Sequence, residues 1–475
     1  MPTLSGGINT ALSAVLANTY AIQVVNQNVA NVNTPGYRRQ LAALKTAPPT
    51  AMFNGYSNIL PGQTGSGVRV DLIQRFSSDL LDAHYRAASG ETQNWQARQQ
   101  ISAQIESILS PTTDNGLPAK MDQFWAEWGK LASDPANLTL RGELLTQAND
   151  LASAFNSQAN QLNQLRADQN GVLVDQVNQI NASAQQIAGL NGEIAQALAL
   201  GQQPNDLMDQ RDLLLDQLAA SAGATSSLQK DGSVLVAIGG HSLVTNITAT
   251  NLSAVNDTDP QNAGLLKVQW DDNARALAAP SGTLSGIFIA RDQTIPKQLA
   301  WLNNLAEQLA SGVNNLHQTG YAMDGATTGQ PFFTPRTAGQ EAATLKVNGT
   351  LTPGGIAASA SGLPGDSQIA DAISRLKLDK TVIPGANLTF NDYLNNQVTN
   401  LAMDVQHANT STAHNQLLVD ALTNQRGSES GVSLDEEAAN LAKYERAYQA
   451  AGRLMTAFDQ MMDTIINGMG LVGRG

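Results

Sequence analysis

The five histidines are the first side chains to consider for chemistry, because a neutral imidazole is a common metal ligand and general base. They are His84, His241, His317, His407 and His414. His407 and His414 would share one helix face, but two helical turns place them about 10 Å apart, too far for one metal ion. The sequence has no HExxH or GxSxG motif and no cysteine. We therefore expect structural histidines, with no metal site and no cofactor.

Two loop sequences could in principle hold an ion. The stretch "LPGQTGSGVRV", residues 60–70, spaces its glycines like a phosphate loop, but the Walker lysine is missing. The stretch "YAMDGATTG", residues 321–329, lacks the regular oxygen ligands of a calcium loop. Most acidic residues fall in loops and in the first turns of predicted helices, where they suit the helix dipole. The sequence thus predicts no catalytic site, and the protein is not expected to be an enzyme.

Composition excludes several classes of partner. The 475 residues carry a net charge of −13, which disfavours nucleic acid and anionic membrane surfaces as partners. Only 14% of residues are charged, so the surfaces are suited to contact other protein. No run of apolar residues approaches a membrane span, and the N-terminus lacks the pattern of a secretory signal peptide. We expect no membrane insertion, and export without a cleaved signal of that type.

The elements that position everything else begin with an uncharged helix in residues 1–37. Its seam follows the alternating three- and four-residue spacing of a coiled coil, at Ile8, Leu12, Val15, Ile22 and Val29. "NTPGY" ends the helix, with Pro35-Gly36 at the centre of a type II turn. The first charged residues are Arg38 and Arg39. The spacing predicts a helix that is buried in an assembly, although an ordinary first helix packed on its own domain remains the alternative.

The middle of the chain reads as a helical bundle domain in residues 38–324. Breaks are expected at Pro111, near Pro118 and at Asp134-Pro135, and a β insertion covers 223–290, including "GTLSGIFIARD" as a strand. In "NDLMDQRDLLLDQLAA", residues 205–220, the acidic first turn is interpreted as matching the helix dipole. Residues 325–390 are predicted to form a small outer domain, β or irregular. A return helix of the bundle follows in 391–432.

The C-terminal segment, residues 433–475, carries the most regular pattern in the chain. Its seam residues are Leu441, Tyr444, Tyr448, Met455, Phe458, Met462 and Ile465. Ser433 and Glu436 suggest a capping box at its start. The predicted fold is therefore mainly α with β insertions, with terminal coiled-coil helices, a long helical bundle domain and small β-rich middle and outer domains.

Two segments resemble the bacterial flagellar rod, hook and hook-associated protein family. The N-terminal signature of that family is matched by Ala30, Asn31, Asn33, Thr34, Gly36 and Tyr37, with Pro35 in the turn. "SLDEEAANLAKYERAYQAAGRLMTAFDQMMDTIIN" is similar to the matching C-terminal element. The long helical middle resembles the hook-associated members rather than the rod or hook proteins.

The resemblance implies a structural axial protein that forms a ring at the distal end of the hook, joins it to the filament and allows filament assembly. Its terminal helices would pair in an inner layer. The implied partners are further copies of the chain, the hook protein, a second hook–filament junction protein, an export chaperone bound to the C-terminal seam, and the type III export apparatus. It would be secreted to the flagellum from the cytoplasm. A hook or distal-rod component, or an exported enzyme on a flagellar scaffold, is the alternative.

Overall fold

The computed structural model describes residues 2–53, 59–109, 116–259, 262 and 264–468. The fold is mainly α with β insertions, which confirms the predicted fold class. The described α-helices are α1 (Pro2–Ala30), α2 (Asp79–Leu109), α3 (Leu117–Ser133), α4 (Leu138–Ala199), α5 (Asn205–Ala222), α6 (Gly282–Ile289), α7 (Ile295–His317), α8 (Glu341–Thr344), α9 (Gln368–Arg375), α10 (Phe390–Ser430) and α11 (Leu434–Asp463). The strands are β1 (Gln40–Thr46), β2 (Thr50–Phe53), β3 (Ile59–Thr64), β4 (Val68–Arg75), β5 (Thr225–Leu228), β6 (Val234–Ile238), β7 (His241–Thr245), β8 (Thr248–Ala249), β9 (Leu252–Asn256) and β10 (Leu266–Trp270).

The two ends of the chain lie together. Helices α1 and α11 pack along one another and form what we call the terminal pair. Strands β1 and β4 make an antiparallel ladder, with a bulge between Ala43 and Leu44, and both strands also contact α1. Strands β2 and β3 pair with each other as a second short ladder.

Helix α3 begins next to Pro118 and α4 begins shortly after Asp134-Pro135, whereas the break predicted at Pro111 lies outside the described residues. The side chain of Asn137 accepts hydrogen bonds from the amides of Thr139 and Leu140, which caps the start of α4. Gly223 ends α5 with a φ of 65°, a left-handed conformation that glycine adopts without a Cβ penalty.

Helix α4 is one uninterrupted element of 62 residues, about 93 Å long at about 1.5 Å per residue. Its first half packs with α3 and α7 in one apolar core, which includes Leu144, Phe155 and Leu162. Its second half packs with α5, α6 and the β insertion in another core, which includes Leu173 and Ile187. The same helix therefore supports both cores.

The β insertion is smaller than predicted. Strands β5 to β8 form a four-stranded antiparallel sheet, and β9 pairs with β10. The stretch "GTLSGIFIARD" is helical, forming α6 and a short π-helix at Ala290–Thr294. The predicted strand was wrong because small residues here permit close helix packing: a Cβ on Gly286 would lie 2.5 Å from the backbone oxygen of Asn94 on α2.

Residues 325–390 are largely irregular, with short helices, but they have no core of their own among the described residues. Phe332 and Phe333 are fully buried and contact Phe124 of α3. Ile356 and Ile373 join the same core. The expected separate outer domain is therefore replaced by a segment packed onto α3, α4 and α7.

Helices α2 and α10 form a long pair that leads back to the terminal pair. Their contacts are largely polar: Gln99 donates to Asn409 over 2.7 Å, and Trp95 meets His407 edge-on with ring centres 5.1 Å apart. Only four described residues of α10 are buried. Residues 391–432 thus run back along the surface of the bundle.

One described helix, residues 5–30 of α1, has the length and composition to cross a membrane. The sequence estimate missed it because it sought an unbroken apolar run, whereas α1 intersperses apolar residues with uncharged Asn, Gln, Ser and Thr. A core helix of a protein in water can meet the same criterion, and α1 packs against α11 and the β1–β4 ladder.

We predict that His317 makes stability depend on pH. Its Nδ1 lies 2.7 Å from the Gln330 carbonyl oxygen, and its Nε2 accepts from the Ala357 amide. Burial lowers its pKa from 6.5 to about 4. The unfolded chain therefore binds a proton that the folded chain excludes, so this stabilisation is complete above pH 6.5 and is lost as the pH falls towards 4.

Urea denaturation of the protein and of His317→Gln between pH 7 and pH 4 measures this effect. The loss of unfolding free energy on acidification should be smaller in the variant by about 3 kcal/mol. Parallel pH profiles for the two proteins would contradict the assignment.

Candidate functional site

The buried face of α1 is made mainly of small residues. Ala11, Asn18, Ala21, Val25 and Asn28 are each at most 7% exposed and follow a spacing of three, four and seven. Small side chains let helix axes approach closely. This face, rather than the predicted seam, is the one that α1 buries within the chain.

The predicted N-terminal seam lies on another side of α1. Leu12 and Val29 are 40% and 41% exposed, and Ile8, Val15 and Ile22 are half-buried. A shift of one residue turns a helix face by about 100°, so neighbouring seams with the same spacing are easily confused in sequence. The structure covers this larger apolar seam only in part: Ile22 packs against the core of the terminal pair, whereas Leu12 and Val29 stay exposed.

On α11, the predicted seam is the side that faces α1. Tyr444 is buried, and Leu441 packs with it against the α1 face. The other half-buried seam residues are Met455, Phe458, Met462 and Ile465, whereas Tyr448 is 43% exposed. A Cβ on Gly7 of α1 would lie 2.5 Å from the Phe458 ring, so the absence of a side chain there makes room for the aromatic ring.

The family motif forms the turn between α1 and β1. Ala30 is the last residue of α1, and Asn33 and Pro35 are exposed. The Asn31 side chain accepts a hydrogen bond from the Thr34 hydroxyl. These residues lead from the end of α1 into a tight turn.

Gly36 and Tyr37 complete that turn. Gly36 has a φ of 80°, and the Tyr37 amide donates to the Thr34 carbonyl over 3.2 Å, which are features of the expected type II turn. The Tyr37 hydroxyl donates to Asn28, whose side chain also bonds both backbone groups of Gln40. Asn28 therefore links helix, turn and strand, a role that its position in the sequence did not reveal.

Arg38 and Arg39 connect the turn to two different parts of the protein. Arg38 is buried and pairs with Asp82 of α2 at 2.8 Å. Arg39 pairs with Glu437 at 2.7 Å and with Glu436, both on α11. Glu436 makes no reciprocal capping bond to Ser433; only the Ser433 half of the predicted capping box is present.

The acidic residues of α5 hold a set of arginines from other segments. Arg75 of β4 pairs with Asp209 at 2.6 Å and with Asp212 at 2.5 Å. Arg86 of α2 pairs with Asp212 at 3.2 Å and with Asp216 at 2.7 Å.

Arg426, near the end of α10, closes the set. It pairs at 2.9 Å with Asp82 and at 2.9 Å with Asp216. We call this group the ionic junction. Its members are Arg38, Arg75, Arg86, Arg426, Asp82, Asp209, Asp212 and Asp216.

The ionic junction balances four guanidinium groups with four carboxylates. Burial raises the pKa of Asp212, but Arg75, Arg38 and Arg86 outweigh burial and lower it overall. For Asp209, burial outweighs the attraction of Arg75 and Arg38, so the pKa of this carboxyl group is raised. The charges hold each other in a site with little water, so each depends on its neighbours.

Sequence analysis missed this cluster. It attributed the acidic residues of residues 205–220 to the helix dipole, whereas Asp206, Asp209, Asp212 and Asp216 lie at intervals of three, three and four. That spacing places them on one helix face and was the available signal. Asp206 accepts a hydrogen bond from the Gln40 side chain, which adds a further link to β1.

The described residues contain no group of three or more His, Asp or Glu side chains arranged to hold a metal ion. His317 is a buried structural residue, and His241 bonds Asp272 beside Trp270. The distinctive site of the described chain is therefore the terminal pair with its ionic junction, an arrangement suited to holding protein segments in place.

Comparisons with known proteins show similarity to flagellar proteins. A model described as "Flagellar hook-associated protein FlgK helical domain" matches residues 102–333, and "Flagellar basal body rod FlgEFG protein C-terminal" matches residues 425–468. The chain is therefore similar to flagellar hook-associated proteins. The resemblance expected from the sequence is thereby confirmed.

Similar proteins match almost the whole chain. Flagellar hook-associated protein 1 of Bacillus subtilis (strain 168) is 28% identical, over 98% of this chain and 99% of that protein. The Escherichia coli (strain K12) protein of the same name is 25% identical, over 98% and 100%.

A solved structure supports the fold. The flagellar hook junction protein FlgK from Burkholderia pseudomallei superimposes with a TM-score of 0.63 at 18% identity. It covers 75% of this chain and 100% of its own chain.

We predict that Asp212→Asn will lower the free energy of unfolding by about 3 kcal/mol, because it leaves Arg75 and Arg86 with less compensating charge at a buried site. Urea denaturation followed by circular dichroism measures the change. Asp71→Asn is the matched control, since Asp71 pairs with Lys45 and Arg69 at an exposed site and should cost less than about 1 kcal/mol. Equal stability of the two variants would contradict the role of the junction.

Proposed function

We propose that the chain is a structural axial protein of the bacterial flagellum, forming the ring at the distal end of the hook that joins hook to filament and allows the filament to assemble. The observation that carries this proposal is the terminal helix α1. It has no charged residue, and after packing within the chain it still exposes Leu12, Leu16 and Tyr20 at 40%, 51% and 55%. An uncharged helix with apolar residues on its outer side is suited to burial between copies.

The ionic junction supports the same role. The core of the terminal pair, with Ala21, Val25 and Tyr444, is separate from the two cores that α4 supports. Because directional ion pairs and hydrogen bonds join these parts, each copy would present its terminal pair at a defined angle. A ring requires such repeated geometry.

The proposed partners follow from the family. They are further copies of the chain, the hook protein and a second hook–filament junction protein. Before secretion, an export chaperone would cover the C-terminal seam on α11 and the type III export apparatus would receive the chain from the cytoplasm. The role requires no catalytic step and no cofactor.

Deletion of the gene tests the proposal directly. We expect electron microscopy to show hooks without filaments, and immunoblots to show flagellin lost to the medium. Absent or overlong hooks would instead place the protein in the rod or hook. Intact filaments would contradict the proposal.

We further predict that Leu441→Asp or Phe458→Asp prevents filament formation while the helical domain still folds. Each change places an unpaired charge between α1 and α11. Swimming in soft agar and filament counts measure the loss, and circular dichroism of the purified protein checks the fold. Leu200→Asp is the control, because Leu200 is 70% exposed and lies outside the terminal pair. Normal swimming of the two seam variants would contradict the role of this interface.

A further inference from the structure

Of the nine charged residues on α11, only Glu436 and Glu437 take part in ion pairs among the described residues. Arg446, Arg453, Asp459 and Asp463 are all exposed, and none takes part in an ion pair within the described chain. The neighbouring helix α1 cannot supply partners, because it has no charged residue. On α11 itself, none of the four has an oppositely charged residue three or four positions away, so an ionic partner has to come from elsewhere.

The two carboxylates lie where the helix itself disfavours them. Asp459 and Asp463 are four residues apart, so two like charges face each other across one helical turn. The helical run continues past Asp463 as a π-helix at Thr464–Gly468, where the Asn467 side chain donates a hydrogen bond to Asp463 over 2.6 Å. A cation from another molecule would relieve the repulsion between the two carboxylates.

The two arginines offer the matching charge. Arg446 and Arg453 are seven residues apart, which places both on one side of α11. The midpoint of this basic pair lies about 17 Å along the helix from the midpoint of the acidic pair, at about 1.5 Å per residue. The two pairs also point in directions separated by about a third of a turn.

We propose that the acidic pair of one copy binds the basic pair of a neighbouring copy, with an axial offset of about 17 Å between the two α11 helices. Because each copy carries both patches on different sides, the contact is head-to-tail and passes from copy to copy around a ring or helix. This proposal rests on the proposed ring-forming function and names residues that set the register between neighbours. The Lys443 ammonium is not assigned to the contact, since it lies 5.6 Å from the centre of the Tyr444 ring.

Charge exchange tests the contact in a strain that lacks the chromosomal gene. One variant carries Asp459→Arg and Asp463→Arg, a second carries Arg446→Asp and Arg453→Asp, and a third carries all four changes. We expect each double variant to reduce filaments per cell by about tenfold or more, because like charges then face one another. The fourfold variant restores opposite charges at every contact and should recover filaments.

Three controls separate loss of the contact from effects of the substitutions on folding, export and net charge. Circular dichroism should show intact helices in every variant. Immunoblots of the medium test export. Lys230→Asp with Lys346→Asp is the control for net charge, since both lysines are exposed on the helical domain.

The outcomes separate this contact from the proposed function. Normal filaments in both double variants would overturn the contact and leave the ring-forming role intact. Loss in both without recovery in the fourfold variant would overturn it too, because the charges would then bind a different protein. Intact filaments in the strain without the gene would overturn the proposed function and the contact together.

Discussion

The ionic junction is the interaction on which the arrangement of the described chain depends. The terminal pair has an apolar core of its own, and so does each half of α4, but these cores do not merge. Four segments that are far apart in sequence are instead joined through carboxylates on α2 and α5. Removing one charge leaves its partners buried without compensation, so the junction forms as a unit. The uncharged α1 can therefore remain suited to burial while Arg38 and Arg39, immediately after its turn, provide the attachment.

Much of the architecture could be predicted from the sequence, because long helices have strong periodic signals and clear stops. Helix α3 begins beside Pro118, and α4 begins shortly after Asp134-Pro135. The residues of the C-terminal seam lie on the side of α11 that faces α1. The buried face of α1 was harder to predict, because apolar residues occur around most of the helix. The alanine-rich face packs more closely than the face that carries the larger apolar residues. The strand predicted at 282–292 was wrong for a related reason: glycine and serine permit close helix packing that periodicity does not reveal.

The candidate site was less accessible to sequence reasoning than the fold. The regular spacing of the four aspartates on α5 indicated one polar helix face. The sequence around them did not show which residues would pair with that face. The partners are Arg38, Arg75, Arg86 and Arg426. Such contacts depend on the tertiary path of the chain. The prediction of an outer domain at 325–390 was wrong for the same reason. Apolar residues in the loops of this segment pack into the core formed by α3, α4 and α7, which lie earlier in the sequence.

The continuity of α4 has a mechanical consequence. A single helix shared by two cores cannot bend sharply between them without breaking backbone hydrogen bonds, so the two halves of the helical domain behave as one stiff strut. A force applied at one end of α4 is transmitted along the helix axis to the other end, because no flexible linker separates the two halves. In a rotating fibre, a part built in this way transmits torque between dissimilar neighbours with little loss to internal motion.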